Sequence, residues 1–307
     1  MSTSTLAAHN RSRWERSVVL FRMLLRDPYA TVSVIFLLML VACAVFGPFY
    51  LWEPATNMDL GKRNLPPFSL AHGFLYVLGA DSLGRSMLAR IVVGAQTSLA
   101  IASGAVLFSM IAGGLIGIFA GYVGGWTSTI IMRLTDVIIS FPSLLLALIV
   151  LYIIGPNLFN VVAILGFGAL PLYIRTARAE TLEIRERMFV SAARTLGVGT
   201  FAIIVRHVLP LVAPTLTTVA AINFAGVILA ESGLSFLGLG IQPPDFTWGA
   251  MVAAGRQYLQ TAWWLSFFPG FFIMLTTLSL NLLANWLRMA TDPHQRWRLS
   301  IARESER

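Results

Sequence analysis

Five stretches of this chain contain no Asp, Glu, Lys or Arg: residues 28–52, 91–132, 137–174, 208–230 and 257–287, with lengths of 25, 42, 38, 23 and 31. An α-helix crosses the hydrocarbon of a bilayer in about 20 apolar residues, so the runs of 25, 23 and 31 each hold one span and the two longer runs hold up to two each. The chain is 57% hydrophobic and only 12% charged over 307 residues, more apolar surface than one water-soluble core can bury. The solvent of this fold is lipid.

Turn formers divide the long runs: Gly121–Trp126 (GYVGGW) in the first and Gly155–Asn157 (GPN) in the second. Arg133 and Asp136 fall between those runs, so a third span starts near Thr127 and takes both inside it. The expected fold is therefore all-α, with six transmembrane helices at about 29–51, 93–122, from 127, 157–174, 208–230 and 263–287. Basic residues ahead of the first run resemble a signal peptide's start, but the run is too long, and it is read as a retained span. The single cysteine, Cys43, lies within it and supports no disulfide.

The formal net charge of +8 reads as topology, not as a nucleic-acid surface. With the loops assigned alternately, sixteen Lys/Arg fall on one side and five (Lys62, Arg63, Arg85, Arg90, Arg256) on the other. The positive-inside rule then puts both termini and residues 175–206 in the cytoplasm. Trp248, Trp263 and Trp264 near the outer end of the sixth span, with Trp286 at its inner end, suit an aromatic belt. The chain divides into a cytoplasmic tail (1–28), a first span with an extracytoplasmic loop (29–92), a core of five spans (93–290) and a second tail (291–307).

Several residues stand out within the spans. Gly113, Gly117, Gly121 and Gly125 recur every four residues, which strips one helix face and lets another helix approach. Arg133 and Asp136 share a face and can neutralise one another, and Pro142 should bend the helix that carries them. Arg133 and Asp136, with Asn223, Glu231 and Asn281, are polar groups at or near membrane depth and are candidates for the pathway wall, although an Asn in a span usually bonds to a neighbouring helix. Asn285 belongs with Asn281. Outside the spans, Asp81 can cap a short interfacial helix carrying Arg85 and Arg90.

Residues 175–206 are too long for a simple connection. From Arg175 to Leu196 there is no Pro or Gly, and Glu180, Glu183 and Glu186 alternate with Arg178, Arg185 and Arg187, which predicts a solvated helix with charge pairs. Gly197 and Gly199 stop it, and a second stretch from Thr200 to His207 restarts. Ser191, Ala192 and Ala193 occupy the corner, where small side chains let another protein approach the backbone, with Phe189 and Leu196 as apolar anchors and Arg194 beside them.

The segment SAARTLGVGTFAIIVRHVLP (Ser191–Pro210) resembles the EAA loop of bacterial binding-protein-dependent ABC importer permeases, with Ala192, Ala193, Gly197, Leu209 and Pro210 at matching positions. RDPYATVSVIFLLMLVACAVFGPF (Arg26–Phe49), LGADSLGRSMLARIVVGAQTSL (Leu78–Leu99), IIMRLTDVIISFPSLLLAL (Ile130–Leu148), ILAESGLSFLGLGIQPPDFTWGAMV (Ile228–Val252) and FPGFFIMLTTLSLNLL (Phe268–Leu283) are similar to the C-type subunit of the dipeptide/oligopeptide/nickel group. The resemblance covers about residues 25–293. The chain departs from the family pattern by losing carboxylates: the motif's Glu is Ser191, its Gly-Arg-Asp is Gly84-Arg85-Ser86, and its Gly-Asp-Gly-Leu-Arg-Asp is Ala284-Asn285-Trp286-Leu287-Arg288-Met289.

The resemblance implies a type I ABC importer permease fold in the bacterial inner membrane. It also implies a heterodimer with a homologous permease, two ABC ATPase subunits docked on the cytoplasmic loops, and an extracytoplasmic substrate-binding protein. Peptides are the cargo it points to first, with nickel, a metal chelate or another small solute as the alternative. No stretch matches the Gly-x-x-x-x-Gly-Lys-[Ser/Thr] phosphate loop, so ATP and Mg are expected on the partner subunits and no cofactor or metal on this chain. An intramembrane enzyme is disfavoured because His9, His72, His207 and His294 all lie outside the expected spans. A channel acting alone would have no use for a thirty-residue docking loop.

Overall fold

The computed structural model describes residues 23–291, and the basic residues expected in the two tails lie outside that range except Arg26 and Arg288. Nine helices are described: α1 (Pro28–Thr56), α2 (Met87–Val123), α3 (Gly125–Ser140), α4 (Ser143–Ile154), α5 (Leu158–Arg185), α6 (Met188–Thr195), α7 (Thr200–Phe236), α8 (Trp248–Gly255) and α9 (Trp264–Thr291). No strand occurs among the described residues, only an isolated bridge between Ala80 and Ser86. α1, α2, α5, α7 and α9 are each long and apolar enough to cross a bilayer. α3 and α4 together make a sixth candidate span, bent by 83° at Phe141 and Pro142. Proline removes an amide donor and clashes with the preceding turn, so the expected bend becomes a break.

Sequence and structure differ most at helix ends. α2 begins at Met87, six residues before the expected start, because the Ser86 hydroxyl accepts from the Ala89 amide and caps it. The separate interfacial helix expected around Arg85 and Arg90 does not form. Asp81 instead closes a tight turn by accepting from the Leu83 and Arg85 amides, and Arg90 already lies within α2. α1 continues through Pro48 and Pro54 to Thr56, and α5 continues through Pro171 to Arg185. The expected solvated helix from Arg175 is thus the extension of a span, followed by a turn and the short α6. α7 restarts at Thr200 and joins its span through a π-helical turn at Ile204–Val208.

Association of these helices cannot rest on the hydrophobic effect, since lipid tails are as apolar as leucine, and close approach must supply it. The most extensive pairing is α2 with α5. A Cβ added at Gly113 would lie 2.8 Å from Tyr173 Cβ, one at Gly121 would lie 2.8 Å from the Arg178 carbonyl, and one at Gly117 would collide with the Ile174 carbonyl. The glycine face of α2 therefore meets the backbone of α5 over three turns.

Two cores result. The larger joins α1, α2, α4, α5, α7, α8 and α9 around Ile91, Leu151, Ile228, Leu234 and Trp248. The second, at the opposite end of α2, gathers Ile118, Tyr122, Tyr173, Ile184, Val190, Ile203 and Val212, and so includes α6. α2 and α7 are each 37 residues long, about 55 Å at 1.5 Å per residue, which exceeds the hydrocarbon thickness, so part of each extends beyond it.

The aromatic belt is not formed as expected. Trp248 is fully buried, donating from Nε1 to the Ile91 carbonyl at 2.9 Å, and Trp264 is buried and donates to the Ala80 carbonyl at 3.2 Å. Trp286 is buried too, packed near Ala30 and Ala290. Only Trp263 of the four is exposed. The Trp264 indole is met by a carbonyl of the 57–86 loop, whereas that of Trp248 is met by a carbonyl in the first turns of α2.

Candidate functional site

The second core carries an outward surface on α6. A turn at Glu186 and Arg187 separates α6 from α5. At its other end Gly197 adopts φ +77°, which only glycine enters without strain, and the Val198 amide donates to the Ala193 carbonyl at 3.0 Å while the Gly197 amide donates to Arg194 at 2.9 Å. These bonds satisfy the carbonyls a helix leaves open at its end, so the corner is closed without a side-chain cap.

Val190 is fully buried and pins α6 to the second core, while Ser191 and Ala192 are exposed and Ala193 half-buried. Around them Met188 is 86% exposed, Leu196 83% and Phe201 79%, and Phe189 is partly shielded by its ring contact with His207 at 6.1 Å. Sequence reasoning named Phe189 and Leu196 but missed Met188 and Phe201. The signal was present: both are large apolar residues in or beside a segment rich in charge.

Arginines fix α6 and the inner part of α5 to α2. Arg194 stacks on Tyr122, its Cζ 4.9 Å from the ring centroid, and its Nε donates to the Tyr122 hydroxyl at 3.2 Å. Arg185 donates to the Gly121 and Tyr122 carbonyls, and Arg178 donates to the Ser128 hydroxyl at 2.7 Å. The expected ladder of charge pairs is therefore mostly replaced. Of the pairs expected along α5 at three- and four-residue spacing, Glu183 and Arg187 form one at 2.7 Å, while Glu180 accepts from Thr215.

The polar groups expected within the spans are not brought together. Asp136 accepts from Arg175 of α5 at 2.6 Å and is 4.0 Å from Arg133, so the short pair crosses between helices. Asn223 donates to the Tyr173 hydroxyl at 3.4 Å. Glu231 is buried and accepts from Ser235 and Thr247, each at 2.7 Å. Asn281 and Asn285 are exposed on α9, with Phe267, Phe271, Met274 and Leu278 on the same exposed face, so neither is sheltered inside this chain as a helix-bridging asparagine would be.

A further polar cluster, unassigned by sequence, sits at the other end of α2. Arg90 donates to the Ala55 carbonyl at 3.3 Å, lies 3.6 Å from Asp81, and has its guanidinium 4.3 Å from the Phe246 ring centroid. It thereby joins the end of α1, the 57–86 loop and the 237–247 loop. On the 57–86 loop Lys62 beside Asp59 holds the Asp59 carboxyl below its usual range. No group of three or more potential metal ligands occurs among the described residues.

Comparison with known proteins places this geometry. Residues 113–297 match the family described as "Binding-protein-dependent transport system inner membrane component", and residues 12–67 match the "N-terminal TM domain of oligopeptide transport permease C". The di/tripeptide transport system permease protein DppC of Pseudomonas aeruginosa is 38% identical, covering 85% of this chain and 86% of its own. The probable D,D-dipeptide transport system permease protein DdpC of Escherichia coli is 34% identical over 95% of this chain and 96% of its own. The glutathione transport system permease protein GsiD of Pectobacterium atrosepticum is 37% identical over 89% of each. Among solved structures, the inward-facing MetNI methionine ABC transporter aligns with a TM-score of 0.53 at 17% identity, covering 66% of this chain and 96% of the other, which shows a shared fold.

Proposed function

This chain belongs to the binding-protein-dependent inner-membrane transport components, and from that premise we propose that it forms half of the translocation pathway of an ATP-driven peptide importer. The observation that carries the mechanism is α6: a short helix pinned inward by Val190 and Arg194, with an exposed apolar rim at Met188, Leu196 and Phe201. That end of the molecule faces the cytoplasm in this reading, which the Lys/Arg asymmetry supports. Two ATPase subunits bind ATP and Mg. One of them seats on the corner of Ser191, Ala192, Ala193 and Gly197, and its closure moves α6. Because Arg194 and Arg185 grip the end of α2, and the glycine face of α2 meets α5 without side chains between, the displacement passes up both spans as one body.

The family carboxylate at the corner is Ser191 here, so docking rests on shape and backbone approach. A homologous permease completes the pathway as a heterodimer, and an extracytoplasmic binding protein delivers the cargo. Peptide cargo is supported by the relatives' names, which specify di/tripeptide, D,D-dipeptide and glutathione transport. This chain carries no ATPase site and performs no chemistry of its own.

The test is reconstitution in liposomes with the partner permease, both ATPases and the binding protein. ATP-dependent accumulation of a labelled dipeptide is expected, and none without the ATPases. Flux without them would make the chain a channel, and accumulation of nickel with no response to peptide would overturn the cargo. Calorimetry of the binding protein with dipeptides separates a cargo error from an assembly failure.

A further inference from the structure

A cavity of ≈ 590 Å³ opens where α2 turns into α3, lined by Gly124, Gly125, Trp126, Ser128, Thr129, Arg178, Leu182 and Arg185. No carboxylate lines it. Arg178 spends its Nε on the Ser128 hydroxyl and, among the described residues, has no carboxylate within ion-pair distance. Arg185 brings a second guanidinium, already engaged on one side by the largely exposed Glu186 at 3.2 Å and on the other by the Gly121 and Tyr122 carbonyls, so Arg178 is the less committed of the two cations. The 16-residue α3 begins in the same cavity with no side-chain cap and no acidic residue in its first turn, so its positive end adds to the two cations.

A second observation identifies the anion. Trp126, Ile130, Leu134 and Val137 are spaced to fall along one face of α3 and are all exposed, Trp126 to 83%, with the exposed Arg133 along the edge of that face. An apolar track one helix wide rises from the cavity's own rim. A free phosphate would make use of the guanidiniums and leave the track bare, whereas a phospholipid uses both, with its headgroup phosphate among Arg178, Arg185 and the Ser128 and Thr129 hydroxyls and an acyl chain along the track. Tryptophan at the junction suits the headgroup level.

We propose that the α2–α3 turn is a binding site for an anionic phospholipid, which wedges beside the second core and ties the α6 support to the membrane surface. The site depends neither on the cargo nor on ATPase docking.

Native mass spectrometry tests this on the full-length chain, purified in detergent with the subunits that accompany it, delipidated, and supplied with palmitoyl-oleoyl phosphatidylglycerol or the matching phosphatidylcholine. The anionic lipid is expected to be retained preferentially. Arg178→Gln should weaken retention by about fivefold, the effect of one cation near a lipid surface. Since Arg178 also holds Ser128, Thr129→Glu serves as the second variant: it adds a carboxylate at an exposed position and should cause a similar loss with the arginines intact. Trp126→Ala should weaken lipid retention without affecting binding of inorganic phosphate. Equal retention of the two lipids overturns the proposal, as does displacement of the lipid by millimolar inorganic phosphate. So does lipid binding found only after the accompanying subunits are stripped away, because a protein partner would then be the occupant.

Discussion

The guanidinium of Arg194 lies over the ring of Tyr122, 4.9 Å from its centroid, and Nε donates to the same residue's hydroxyl at 3.2 Å. The two residues are 72 positions apart, and they join a short surface helix to the end of the helix most extensively packed in the molecule. Replacing Tyr122 by Phe keeps the ring and removes one hydrogen bond, worth about 1 kcal/mol. Tyr122→Ala removes the stacking as well, a further 0.5–2 kcal/mol or about that order. Uptake per ATP hydrolysed in proteoliposomes should fall slightly for Tyr122→Phe and severalfold for Tyr122→Ala, while ATP hydrolysis itself persists. Unchanged stoichiometry in Tyr122→Ala would mean that force reaches α2 by another contact.

The α2–α5 face predicts a steep penalty for a single methyl group. An alanine at Gly117 sets its Cβ 2.7 Å from that of Ala177 and against the Ile174 carbonyl, where no flexible side chain can yield. Overpacking of this kind costs about 1–3 kcal/mol. Gly117→Ala should lower the melting temperature of the detergent-solubilised protein, and Gly117→Val should abolish a monodisperse peak in size-exclusion chromatography. Gly199→Ala is the control, since an added Cβ there meets nothing and its φ is ordinary.

These two contacts mark the boundary of what the sequence discloses. The glycine repeat is a local pattern whose only use is close approach, and it identifies the face although not the partner helix. Charge-free runs likewise locate the spans, because desolvation of a charge is a penalty at every position in lipid. The destinations of the polar side chains were not legible. Arg178 and Arg185 were read as members of an intrahelical ladder, yet both leave α5 for the α2–α3 turn, since a buried carbonyl or hydroxyl without a partner is costlier than a solvated ion pair is favourable. Trp248 and Trp264 misled in a related way: an indole near a span's end reads as an interface anchor until a tertiary contact supplies a carbonyl, from α2 for Trp248 and from the 57–86 loop for Trp264. The start of α2 shifted because Ser86, outside the apolar run, caps the helix, while α5 and α7 continued past their apolar runs without a side-chain cap.

Docking on α6 separates into exposed and buried contributions. Met188, Leu196 and Phe201 are exposed in the chain by itself, so truncating them should leave its stability unchanged. If they are anchors, Leu196→Ala or Phe201→Ala should weaken ATPase-subunit binding by about tenfold, some 1–2 kcal/mol. Val190 faces the other way and is fully buried, so Val190→Ala should lower stability by about 1–3 kcal/mol. Binding by surface plasmon resonance with a parallel thermal melt reads both. Loss of binding in Val190→Ala alone, with the exposed truncations silent, would reject the rim as the docking surface.

Glu231 presents the opposite case, a carboxyl buried with hydroxyls for partners. It accepts from Ser235 and Thr247 at 2.7 Å each, and Thr247 in turn caps α8 by accepting from the Ala250 amide at 3.2 Å. The adjacent Phe246 covers Arg90, so the 237–247 loop is held to α7 by Glu231 and to α2 by Arg90. Glu231→Ala removes the shared acceptor of two buried hydroxyls, which are 3.3 Å apart and can then bond only to one another, at about 1 kcal/mol or more, whereas Glu231→Gln retains an oxygen and should cost less. Amide exchange of residues 237–250, followed by mass spectrometry, should accelerate strongly in Glu231→Ala and weakly in Glu231→Gln. If exchange there stays at the wild-type rate in Glu231→Ala while transport is lost, the carboxyl acts on cargo instead of on the loop, and α7 would have to rotate during the cycle to bring it to the pathway.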